Sequence, residues 1–116
     1  VVFDPVGGDV FDESTRCVAF GGKLMVVGFT SGRIADISTN IPLIKGFSIV
    51  GLRAGEYARR FPERGRAIQN AITALAEEGR ITPAIDRILP LSRWREGFAA
   101  MASRGLVGKV VFVPGS

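Results

Sequence analysis

An α/β fold built on a parallel sheet covered by helices is the class this sequence predicts, and three observations carry the prediction. The run from Lys23 to Gly28 is apolar throughout instead of alternating, which is the pattern of a strand buried on both faces. A segment with apolar spacing of three and four separates it from an earlier β-branched run, which makes a βαβ unit, a crossover that is almost always right-handed. The chain has 116 residues, 47% hydrophobic and 22% charged, which suits one soluble globular domain with one modest core.

The elements follow in order. "VVFDPVGGDVF" opens on a β-branched and aromatic run and breaks at Pro5, Gly7 and Gly8, the end of a first strand. A short helix is expected from about Asp9 to Ala19, where Phe11, Ser14, Thr15 and Val18 share a face, with Gly21 as its left-handed stop. The strand from Lys23 comes next, then a polar loop, "TSGRIADISTN", and "IPLIKGFSIVGL", whose last stretch from Ser48 to Leu52 is a third strand. Pro62 fits the first turn of a longer helix with the apolar stripe Ile68, Ala71, Ile72, Leu75 and Ala76, ended by Gly79. "ITPAIDRILP" is an extended piece bounded by prolines. A last helix is expected after Ser92 as N-cap, with Leu91, Trp94, Phe98 and Met101 on one face and Gly105 as its stop. "GKVVFVP" closes the chain as a final strand.

Composition limits the chemistry. No run approaches the roughly 20 apolar residues of a membrane span, and the opening residues lack the sections of a signal peptide, so a cytoplasmic protein is expected. A single cysteine, Cys17, leaves no internal disulfide; its place inside a helix reads as a small core residue. With no histidine there is no Cys/His zinc site within this chain and no base for a Ser-His-Asp or Cys-His arrangement. The net charge of +4 raises nucleic-acid binding as a reading, but the densest basic group, Arg53, Arg59, Arg60, Arg64 and Arg66, reads as a solvated helix face.

In open parallel sheets ligands bind beyond the carboxyl ends of the strands. "DPVGG" at residues 4–8 and "GFTSG" at residues 28–32 are two such ends, and both are small enough for a flat ring or phosphate to approach the backbone. Glycine at such turns also serves tight geometry alone, and neither "GxGxxG" nor "GxxxxGK" occurs.

The blocks "VVFDPVGGDVFDESTRCVAFGGKLMVVGFTSG", "IPLIKGFSIVGL" and "LAEEGRITPAIDRILPLSRWREGFAAMASRGLVGKVVFVP" closely resemble the C-terminal part of medium-chain dehydrogenase/reductases, in the zinc-free NADPH:quinone oxidoreductase branch. The resemblance implies a partial protein with a partial Rossmann-like parallel sheet flanked by helices. Residues 1–80 would be the C-terminal half of the cofactor domain, and residues 81–116 a segment that in relatives packs on the catalytic domain. It implies an oxidoreductase parent that transfers hydride from NADPH to a quinone or α,β-unsaturated carbonyl, with this chain inactive alone and with no catalytic group of its own. Pro5, Val6 and Gly7 would pass the nicotinamide ribose; Val27, Gly28, Phe29 and Thr30 would hold the carboxamide. Arg104 matches a region that reaches the cofactor in relatives, but by itself reads first as a cation satisfying the carbonyls that end a helix. Tyr57 reads as packing or surface. The strand from Ser48 to Leu52 would pair with its copy in a homodimer, since Ile49, Val50 and Leu52 carry no charge to blunt an edge. A stand-alone dimerisation module without catalysis is the alternative, and neither nucleic acid nor membrane is an expected partner.

Overall fold

A computed structural model describes residues 1–115; Ser116, the end of the expected C-terminal segment, lies outside them. The chain divides into two compact units, Val1–Gly65 and a second from Arg66 onward.

The first unit is a parallel three-stranded sheet in the order β1 (Val2–Asp4), β2 (Lys23–Val26), β3 (Ser48–Gly51). Its strands are joined through α1 (Gly8–Cys17) and α2 (Asn40–Lys45), and β3 runs on into α3 (Ala54–Arg60). The apolar run from Lys23 earns its central place: Leu24 is fully buried, and Phe11, Val18 and Phe47 close over it, with Val2, Val26, Ala35, Ile37 and Ile41 packed around. Phe11 and Ser14 are buried on α1 at the spacing the sequence shows, and Val18, just past the end of the helix, is buried beside them. One connection is clamped by a polar group and another by a tight glycine turn. The Lys45 Nζ donates to the Thr15 and Arg16 carbonyls, at 2.5 and 2.8 Å, and so caps the last turn of α1. Gly46 turns left-handed at φ 64°, ψ 48° after α2, where a Cβ would collide with the Phe20 ring.

Three local expectations need correction in this unit, and two short helices are added to it. Helix α1 stops at Cys17 because Val18 is extended, and the left-handed Gly21 belongs to the following turn, where its N–H meets the Gly46 carbonyl. Cys17 is exposed on α1, since the buried positions of this helix are taken by Phe11 and Ser14, and it is no core residue. Helices α2 and α3 have no counterpart in the sequence reading. At six and seven residues they are too short for an apolar period to register, and α3 rests on local pairing: Glu56 accepts from Arg59 and Arg60 one turn on.

The second unit holds most of α4 (Pro62–Glu77), then β4 (Ile85–Pro90), a 3₁₀ turn (Leu91–Arg93), α5 (Trp94–Ala102) and β5 (Lys109–Val113). Strands β4 and β5 pair in parallel, with an irregularity between Ile85 and Arg87. Helix α4 begins at Pro62 and ends through Gly79 at φ 70°, as its sequence predicts, with Arg80 and Ile81 both donating to the Leu75 carbonyl. Its stripe stays open: Ile68 and Ile72 are about half exposed and only Leu75 is partly covered. Helix α5 seats on the strands at Gly97, where a Cβ would strike the Phe112 ring, and Phe98 stacks on Phe112 at 6.1 Å between centroids. Ser92 does not cap this helix, because it lies inside the 3₁₀ turn and Arg93 takes the N-cap position. The left-handed residue after α5 is Arg104, at φ 57°, and not Gly105. No helix among the described residues is long and apolar enough to cross a membrane.

Candidate site at the carboxyl rim

The three parallel strands end level with one another. Asp4 is the register partner of Val26, and Val26 that of Gly51, so the chain leaves the sheet at one edge three times: into residues 5–7, residues 27–33 and residues 52–53. Parallel pairing imposes this, since every strand points the same way.

The two glycine corners singled out in the sequence are brought together and bonded to each other. Val27 and Gly28 donate their N–H groups to the Asp4 carbonyl at 2.9 and 3.4 Å. Thr30 donates both its N–H and its hydroxyl to the Pro5 carbonyl, at 3.3 and 3.2 Å, and Ser31 N–H reaches the Val6 carbonyl at 3.0 Å. Their closeness explains the small residues. A Cβ on Gly28 would sit 3.1 Å from the Pro5 oxygen, one on Gly8 would sit 2.8 Å from Ser31 Oγ, and one on Gly7 would meet both the Phe29 ring and the Arg33 carbonyl. Gly7 also stands at φ 70°, ψ −161°, a region open to glycine almost alone. Gly7 is buried, Val6, Val27 and Gly28 are half-buried, and Pro5, Phe29 and Thr30 face solvent.

Most main-chain groups of the corners are therefore spent on each other. Among the described residues no hydrogen bond uses the Phe29 N–H or the Gly28 carbonyl, one donor and one acceptor on adjacent residues of the turn. The far end of the second loop is tied to α1: the Arg33 guanidinium donates to Asp9 at 2.8 Å and to Asp12, and Ser31 Oγ receives the Arg33 N–H. Asp12 first, then Asp9, raise the Arg33 pKa above its ordinary value.

Sequence reasoning missed three parts of this rim. Asp4 accepts the N–H groups of both Val6 and Gly7; an Asp before Pro-x-Gly is an Asx-turn signal that could have found it. Arg33 carries no motif and emerges only from packing. The third strand end, from Gly51 to Arg53, lies on the same edge, with Leu52 N–H on the Val26 carbonyl at 2.9 Å, and follows from the carboxyl-end rule once all three strands are counted. Beyond it a groove is lined by Gly51, Leu52, Arg53, Tyr57, Arg60 and Phe61, where Tyr57 packs against Phe61 at 5.0 Å. Arg104 belongs to the second unit, where its N–H meets the Met101 carbonyl at 3.4 Å.

Comparison with known proteins bears on the whole chain. The family model described as zinc-binding dehydrogenase matches residues 1–112. Quinone oxidoreductase-like protein 2 of Bos taurus is 38% identical over 112 residues, covering 96% of this chain and 32% of its own length. The crystal structure of a quinone oxidoreductase from Pseudomonas syringae superposes with a TM-score of 0.76 at 20% identity, over 96% of this chain and 34% of that one, a likeness of fold. A mycobacterial protein solved in complex with NADPH gives a TM-score of 0.70 at 26% identity, over 96% of this chain and 34% of its own. The chain spans about a third of the length of the curated relatives it matches.

Proposed function

The chain belongs to the zinc-binding dehydrogenase family, within the medium-chain dehydrogenase/reductases, and from that premise we propose that it is the C-terminal part of an oxidoreductase reducing quinones or α,β-unsaturated carbonyls with NADPH. The observation that carries the reading is the closure of two glycine corners into one rim at the carboxyl ends of a parallel sheet. NADPH, when bound, supplies the hydride. The chain's own residues bind and orient it. Val6, Gly7 and Val27 offer an apolar seat for the ring, and the Phe29 N–H and Gly28 carbonyl, a donor beside an acceptor, match the two halves of a carboxamide. The absence of a Cβ at Gly7 and Gly28 leaves room for the corners to close beneath it. Pro5 lines the ribose side, and Thr30 stands with the turn that holds the carboxamide.

A zinc ion does not fit these residues, whatever the family's description says. The sequence has no histidine, and the described residues contain no group of three His, Cys, Asp or Glu side chains able to hold a metal.

In this reading residues 1–80 complete the cofactor domain of the longer protein and residues 81–116 pack on its catalytic domain. Strand β3 lies at the edge of its sheet, with Ile49 37% exposed, which favours pairing with a second copy. Steady-state NADPH oxidation with quinone and enone substrates tests the proposal: the full-length protein is expected to turn over, and the 116-residue chain alone is not. Robust turnover by the isolated chain, or a full-length protein without nicotinamide nucleotide affinity, contradicts it.

A further inference from the structure

Asp4 is the one charged side chain buried among the described residues, 1% exposed at the end of β1. Its Oδ1 accepts hydrogen bonds from Val6 and Gly7 N–H, each at 2.8 Å, while Oδ2 is sealed from solvent without a partner. Leaving a carboxylate oxygen unmatched is costly, so the geometry it enforces is what the fold retains.

We infer that Asp4 is the positioning residue of the rim: it turns the Val6 and Gly7 N–H groups inward, so that this corner takes a flat ring and refuses a phosphate. The inference rests on the functional reading above. A glycine-rich turn entering a helix ordinarily binds anions, through N–H groups aimed outward at the positive end of the helix. Here Pro5 has no N–H, the next two are held by Asp4, and the Pro5 and Val6 carbonyls are occupied by Thr30 and Ser31. The carboxylate thus stands where a bound anion would, at the head of α1, and takes up the two N–H groups an anion would use. A phosphate brought to residues 5–7 meets no free donor there. An uncharged or cationic ring loses nothing by that arrangement, and the side chain of Val6 and the flat Gly7 backbone are left to pack on it.

Hydrogen exchange and cofactor titration on the full-length protein, as wild type, Asp4→Asn and Asp4→Ala, test this. Asn keeps a side-chain oxygen at the accepting position, and Ala removes it. The Val6 and Gly7 amides are expected to exchange slowly in the wild type and the Asn variant and at least about tenfold faster in the Ala variant. The Kd for NADPH is expected to rise about tenfold or more in Ala and to stay within about threefold in Asn. A folded Ala variant that binds NADPH as the wild type does overturns the inference. If the Ala variant does not fold, the Asn variant decides: retained affinity with retained protection supports positioning, and weakened affinity with retained protection transfers the role to charge and overturns it. A wild-type protein that binds no nicotinamide nucleotide sinks the functional reading and this inference together, whereas equal binding by wild type and Ala sinks only the inference.

Discussion

Replacing Gly7 by Ala strikes the rim at its tightest point, and the cost divides into two parts. At φ 70°, ψ −161° an L residue is strained by about 1–3 kcal/mol. The new methyl also lands 3.0 Å from Phe29 Cδ1 and 3.2 Å from the Arg33 carbonyl oxygen. The Phe29 ring is partly exposed and can move, but the carbonyl is fixed in a loop that Ser31 and the Arg33 ion pairs tie down, so overpacking adds about 1–2 kcal/mol. The sum is about 2–5 kcal/mol. Gly32 supplies the internal reference: it shares a positive φ, 86°, but a Cβ there meets nothing within 4 Å, so Gly32→Ala costs only the strain, about 1–2 kcal/mol. Urea denaturation of the full-length protein and both variants measures the difference. If Gly7→Ala is no more destabilising than Gly32→Ala, the close meeting of the two corners is wrong.

Other expectations are smaller and local. Lys45→Met keeps the aliphatic stem but removes the cap from the Thr15 and Arg16 carbonyls, and should lower stability by about 1 kcal/mol in the same assay; an unchanged midpoint would mean the cap contributes nothing. Cys17 should take up an alkylating reagent in the native chain as readily as in urea, read by mass spectrometry, and protection until denaturation would contradict its exposure. Arg59 first, then Arg60, hold the Glu56 carboxyl below its ordinary value of 4.5. A lowered folded pKa gives stability that is present above the ordinary value and lost as pH falls through the folded one. The denaturation midpoints of wild type and Glu56→Gln should therefore differ at neutral pH and converge below about pH 4.5, more so at low salt. A gap that persists in acid would assign the effect to something other than charge.

How much of this was legible in the sequence depends on the range of the interaction that decides each feature. The central strand could be read because burial on both faces writes an unbroken apolar run, and α1 because Phe11, Ser14 and Val18 repeat at helical spacing. The end of α4 was legible in Gly79, a local signal. Short α2 and α3 were not, since six or seven residues held by capping and ion pairs leave no period. The rim was half legible: glycines marked the two corners, but the bonds from residues 27–31 to the carbonyls of residues 4–6 span more than twenty positions and follow only from parallel register. Asp4 looked like an ordinary turn residue, and its burial is a tertiary fact. The stripes on α4 and α5 were legible as apolar faces, yet Ile68, Ile72, Trp94 and Phe98 are 43–55% exposed, because a helical period shows that a face is apolar and says nothing of what covers it.

A crystal structure of the full-length protein with NADPH bound tests the account most directly. It should lay the nicotinamide ring against Val6, Gly7 and Val27, with the carboxamide at the Phe29 N–H and Gly28 carbonyl and the Asp4 side chain still facing inward. A ring bound away from this edge of the sheet, or a phosphate seated on residues 5–7, would contradict it.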